Sequence, residues 1–170
     1  SINFVDAAKE SSVQHIIYMS SIGAGGAENF SAVILNLVTD KAMKWKSLGE
    51  EYIRNSGINF TIVRPGGLRG DPGTLGIKLG QGDQIIGWIP RADVASVLVE
   101  SAFNENAFEK TFEVINDESL EIDAWRGELK NLKKGEYGEI ATGNFPLNYW
   151  ISMLLILGLI VFLIRRRKSR

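Results

Sequence analysis

Lys46 and the paired glycines Gly66 and Gly67 are the residues whose type and spacing could do chemistry together. Lys46 lies in a helical pattern, in a row with Gly49, Glu50 and Ile53 that adjoins an apolar stripe of Trp45, Leu48, Tyr52 and Ile53. A lysine at the edge of such a face can bury its stem and keep its ammonium free to hold a polar ligand. Gly57 stops that helix in the left-handed position, residues 58–63 read as a strand, and Arg64, Pro65, Gly66, Gly67 and Leu68 follow. Paired glycines past the carboxyl end of a strand let backbone approach a ligand closely, at the edge where open α/β sheets bind ligands.

The other candidates are weaker. Gly23, Gly25 and Gly26 cluster after Ser20 and Ser21, but the pattern ending in GK[ST] is absent and GAGG lacks the dinucleotide spacing, so these glycines read as a flexible turn. His15, inside an apolar run, reads as a structural residue. With no cysteine there is no disulfide framework, thiolate nucleophile or sulfur-based zinc site, and one histidine excludes a multi-histidine metal centre. The last six residues hold five of the nineteen basic groups, and the rest of the chain keeps fourteen basic against twenty acidic residues. A body that acidic is a poor nucleic-acid binder, so no nucleic-acid partner is expected.

These residues need elements to position them, and 170 residues, 45% hydrophobic and 23% charged, suffice for one folded domain. The chain opens in a helix with Ile2, Val5 and Ala8 on one side, Phe4 beside them and Ser1 as cap, and a start inside an element points to a fragment or a truncated gene product. Residues 13–19, VQHIIYM, suit a strand in the middle of a parallel sheet. Residues 31–56 are helical, interrupted near Thr39 and Asp40, where Asp40 can cap a new helix at Lys41. RGDPGTLGIKLGQGDQ has no clear periodicity and reads either as a substrate-side flap or as a surface loop. Pro90 opens a helix through Asp93, Val94, Val97, Leu98 and Phe103, residues 111–115 form a last strand, and residues 122–132, with Trp125 and Leu129, close the domain as a helix. Helix and strand alternate, which argues for an α/β fold with a parallel sheet.

VQHIIYMSSIGAGG, WKSLGEEYIRNSGINFTIVRPGGL, IPRADVASVLVESAF and KTFEVIN stand in that order, and together they resemble the C-terminal half of an atypical short-chain dehydrogenase/reductase of the NAD(P)-binding, NmrA-like kind. The resemblance covers about residues 1–118. It implies a partial Rossmann-type, doubly wound parallel sheet lacking its N-terminal βαβ units, with NAD(P)(H) as cofactor and the phosphate-binding half of the site absent from this chain. On this likeness Ser21 is the active-site serine, Ser20 lies beside the cofactor, Lys46 is the catalytic lysine that bonds the nicotinamide ribose and lowers the pKa of a neighbouring acid, and Pro65, Gly66, Gly67 and Leu68 pack beside the nicotinamide. One position departs from the pattern: the tyrosine expected four residues before the lysine is Ala42, and no other tyrosine has a lysine four residues after it. The usual proton donor is therefore missing. Such a chain is implied to be either an oxidoreductase with altered acid chemistry or a non-catalytic cofactor-binding scaffold, regulator or assembly factor.

Residues 145–164 carry no charge, and twenty residues of helix reach ~30 Å, the thickness of a bilayer's hydrocarbon core. Tyr149 and Trp150 flank one end and Arg165, Arg166, Arg167 and Lys168 the other, as interface anchors do. The expected organisation is therefore a domain over residues 1–132, a linker over 133–144, a transmembrane helix over 145–164 and a basic tail over 165–170. The positive-inside rule would put the tail in the cytoplasm, whereas a tail anchor leaves the domain facing the cytosol, and the latter is the expectation for this single-pass membrane protein.

Overall fold

A computed structural model describes residues 2–26 and 41–138 together with Ile151, Ser152, Leu154 and Leu155. Helix α1 (Ile2–Glu10) leads into strand β1 (His15–Met19), and helix α2 (Ala42–Arg54) leads into strand β2 (Asn59–Pro65). Two short strands, β3 (Gly67–Arg69) and β4 (Gly76–Gly80), come next, then β5 (Trp88–Pro90), helix α3 (Arg91–Phe103), strand β6 (Lys110–Asp117) and the short helix α4 (Ala124–Glu128). The main sheet has the order β1-β2-β6-β4; β1, β2 and β6 run parallel and β4 antiparallel, while β3 and β5 pair as a separate parallel ribbon.

Strands β2 and β6 are buried along almost their whole length, polar residues such as Thr61, Arg64, Thr111 and Glu113 included. Against one face pack Val5 and Ala8 of α1 and Ile53 of α2, over Ile16, Phe60 and Ile62. Against the other pack Val94 and Val97 of α3 and Trp125 of α4, over Val63, Phe112 and Val114. Each buried Val, Ile or Phe side chain among these contributes roughly 1.5–3 kcal/mol by leaving water. Pro90 stands at the N-cap of α3, and Gly57, at φ +81°, makes the left-handed stop after α2.

Four expectations change. Strand β1 is an edge strand among the described residues rather than a central one, and beside it Ile17, Met19, Leu98, Val99, Ala102 and Phe103 line an open apolar groove. The loop after Leu68 contains β4, whose Ile77 turns inward while Lys78 stays exposed. Helix α2 turns Trp45 and Leu48 outward and buries Met43, Ser47, Glu50 and Ile53. The closing helix is only five residues long and passes into a 3₁₀ turn at Leu129–Asn131. In addition, the residues expected to begin a linker lie against the domain: Tyr137 meets Phe60 edge-on, with ring centroids 6.2 Å apart, and the Arg54 guanidinium lies 4.6 Å over its ring.

The interruption near Thr39 and the expected membrane span at 145–164 lie outside the described residues, apart from the four C-terminal residues named above. Among the described residues no helix is long and apolar enough to cross a membrane.

Candidate functional site

The parallel strands β1 and β2 end side by side, which brings the separate sequence motifs together. The Ser20 amide donates to the Val63 carbonyl at 2.8 Å and the Ile22 amide to the Pro65 carbonyl at 3.1 Å, so the serines lie beside the start of the glycine loop. From α2, the Lys46 ammonium reaches the same place and donates to the Ser20 carbonyl oxygen across 3.3 Å. Burial lowers the pKa of Lys46, and the charge of Glu50 one turn along pulls it partly back. The Ser20 hydroxyl is buried and has no hydrogen-bond partner among the described residues, while the Ser21 hydroxyl donates to the Ile22 carbonyl at 3.0 Å.

Gly66 and Gly67 commit their amides to protein, to the Val114 carbonyl at 3.0 Å and the Gly87 carbonyl at 2.9 Å. A side chain at Gly66 would have to displace backbone, and one at Gly67 would have to displace the Trp88 indole. A Cβ at Gly66 would stand 2.3 Å from the Gly87 oxygen, and one at Gly67 would stand 2.3 Å from Cε3 of Trp88. Leu68 is exposed on β3, beyond this close approach. Ala42 occupies the first turn of α2, where the tyrosine pattern would have put a phenol.

Beneath the site lies a charged cluster that sequence spacing misses. Arg64, in the buried run of β2, makes a fork with Glu50 of α2, Nε to Oε1 at 3.0 Å and Nη2 to Oε2 at 2.6 Å. Its Nη2 also donates to the Tyr137 carbonyl at 2.8 Å, and its Nη1 lies 3.5 Å from Oε1 of Glu113, the residue opposite it in the β2–β6 register. Burial disfavours the charged guanidinium, but hydrogen bonds and charge from Glu50, with Asp83 and Glu113 behind, outweigh it and hold the Arg64 pKa above its ordinary value. For Glu113 burial wins: its pKa is raised even though Arg64 pulls it down.

The same cluster holds the glycine turn that sequence reads as flexible. The Gly23 amide donates to Oδ1 of Asp83 at 2.7 Å, and a Cβ at Gly25 would stand 2.5 Å from Nη1 of Arg64. Asp83 itself adopts a left-handed φ of +62°. Lys46, the serine strand end, the glycine turn and the Pro65 loop are thus tied to one buried ion-pair network. The available signal was a lone arginine and a lone glutamate, each inside an apolar strand run. His15 lies apart from the site, with Nε2 at 3.0 Å from the Thr61 hydroxyl and its ring 4.3 Å from that of Phe108, and burial lowers its pKa.

A nicotinamide ribose needs hydrogen-bond donors and acceptors at the carboxyl edge of the sheet. The Lys46 ammonium has donors beyond the one given to Ser20, and the orphaned Ser20 hydroxyl can both donate and accept, so the residues present fit that group. The fold is that of a Rossmann-like α/β domain, and the comparisons place it among NAD(P)H-binding proteins. The chain belongs to the NAD(P)H-binding family, whose model matches residues 1–105. It is 38% identical over 120 residues to an uncharacterised chloroplast protein of Arabidopsis thaliana, covering 67% of this chain and 42% of that one. It is 31% identical over 117 residues to sanguinarine reductase of Eschscholzia californica, covering 66% and 42%. The chain thus spans less than half the length of these relatives. Among solved structures, an oxidoreductase from Lactococcus lactis superposes with a TM-score of 0.64 at 19% identity, covering 77% of this chain and 57% of that one, a likeness of fold.

Proposed function

We propose that this chain is part of a membrane-anchored NAD(P)-dependent oxidoreductase in which Lys46 replaces the usual tyrosine as the group that handles the proton. The reading rests on one observation above all: the partly buried Lys46 ammonium lies at the Ser20 carbonyl, beside an unpartnered Ser20 hydroxyl. In this reading Lys46 and Ser20 hold the nicotinamide ribose, Ser21 faces the substrate, and Pro65, Gly66, Gly67 and Leu68 bound the nicotinamide. The bound nucleotide supplies the hydride. Burial makes Lys46 more acidic than a free lysine, which suits it to donate a proton to the oxygen of a carbonyl as that carbonyl is reduced.

Steady-state oxidation of NADPH and NADH with a panel of quinones, aldehydes and enones tests this on the complete gene product. Turnover that Lys46→Ala abolishes is expected; cofactor binding without turnover would leave the scaffold or assembly-factor reading, which Ala42 favours. For the tail, the charge-free run of residues 145–164 and its basic end support a single-pass anchor, and in this reading it is a tail anchor that leaves the domain facing the cytosol.

A further inference from the structure

We propose that residues 133–138 are a strap that positions the nicotinamide site: docked, they hold the glycine turn at 23–26 and the Arg64–Glu50 fork in the arrangement that sets Ser20 and Lys46. This rests on the reading of those two residues as the place where the nucleotide binds, and names how that place is held. The first half of the expected linker is bound to the domain at both ends. At the near end Gln81 clamps it: the Gln81 side-chain oxygen accepts from the Lys133 amide at 2.8 Å, and its nitrogen donates to the Lys133 carbonyl at 2.9 Å and to the Thr111 carbonyl at 3.0 Å. At the far end Tyr137 seats it, with the Arg54 guanidinium over its ring and Phe60 edge-on to it.

Two main-chain contacts at the far end reach the site. The Tyr137 carbonyl accepts from Nη2 of Arg64 at 2.8 Å, and the same nitrogen donates to Oε2 of Glu50, one turn after Lys46. Gly138, at φ +73°, passes so close to the glycine turn that a Cβ there would stand 2.5 Å from the Gly25 carbonyl oxygen. Gly25 thus touches both the strap and Nη1 of Arg64. The turn follows directly on Ser20 and Ser21, and the Ile22 and Gly23 amides tie it to the Pro65 carbonyl and to Asp83. A displaced strap would take an acceptor from a guanidinium that is 1% exposed and would uncover the turn beside the serines. Docking and nucleotide binding then share one coupling free energy, so NADPH must tighten the strap by the factor with which the strap tightens NADPH.

Hydrogen exchange read by peptide mass spectrometry, with and without NADPH, and calorimetric titration of NADPH test this on the complete gene product. Gly138→Val pushes the strap off the turn, Tyr137→Ala frees it through its ring contacts alone, and Tyr137→Phe keeps both the ring and the carbonyl. In the wild type, residues 133–138 are expected to be protected, and more so with NADPH. In Gly138→Val and Tyr137→Ala, exchange at 133–138 and at 20–26 is expected to rise, with helix α3 unchanged, and NADPH to bind about tenfold more weakly; Tyr137→Phe is expected to match the wild type. Should Gly138→Val loosen α3 as well, Tyr137→Ala decides. The proposal is overturned if 133–138 exchange freely in the wild type, if freeing them leaves 20–26 or NADPH affinity unchanged, or if Tyr137→Ala loosens α3 equally, which would make the segment ordinary packing. A wild type that binds no NADPH, with exchange at 20–26 still rising when the strap is freed, would remove the oxidoreductase reading and leave the strap's hold on the turn standing.

Discussion

The Lys46 ammonium and the Ser20 carbonyl oxygen lie 3.3 Å apart, joining helix α2 to the end of strand β1 across 26 residues of sequence. The contact turns two motifs into one site, and its surroundings set the site's properties. Glu50, one turn after Lys46, supports the ammonium by its charge and is itself held by the fork from Arg64. Lys46 and the buried arginine thus share one carboxylate.

Arg64→Met is expected to lower stability by about 3–5 kcal/mol in chemical denaturation, because it leaves Glu113 buried without its cation and Glu50 with Arg54 alone. Arg64→Lys is expected to recover only part of that loss, since an ammonium cannot make the two-pronged contact with Glu50. A methionine variant as stable as the wild type would show that the network contributes nothing net.

Glu113 predicts a pH dependence. Its folded pKa is raised by burial, so the folded state keeps this proton to higher pH than the unfolded state does. The stability it contributes is present below the ordinary carboxylate pKa of about 4.3 and is lost as pH rises through the raised value. Glu113→Gln, which cannot ionise, is expected to melt close to wild type near that lower pH and above it at neutral and alkaline pH. A melting difference that stays constant with pH would contradict the assignment.

The proposed anchor has a direct check. The complete gene product is expected to remain with membranes after alkaline carbonate washing, and a chain ending before residue 145 to be released. Release of both would remove the anchor.

What the sequence made legible follows from how each residue is buried. Strands β2 and β6 and helix α3 announce themselves because their cores are apolar: Ile62, Val63, Phe112, Val114, Val94 and Val97 keep the spacing that burial demands. The inner face of α2 does not, because it carries Glu50 and Ser47, and an apolar count favours Trp45 and Leu48, which face outward. Glu50 goes inside because Arg64 meets it there, a pairing between residues 14 apart that no periodicity records. Strand β4 escapes for a different reason. Five residues with glycine at both ends form a strand only because β6 offers an edge for antiparallel pairing. Of the candidate site, Lys46, the serines and the glycine loop carry recognisable motifs, whereas the place of Trp88 over Gly67 depends on the β3–β5 register.

Fluorescence titration of NADPH and NADH into the complete gene product, alongside its Lys46→Met variant, tests most directly whether Lys46 holds the nicotinamide nucleotide. Saturable binding by the wild type is expected, weakened about tenfold or more in the variant, because a charge-assisted hydrogen bond contributes roughly 1.5–3 kcal/mol. An unchanged affinity in Lys46→Met, or no saturation of the wild type by either nucleotide, would contradict it.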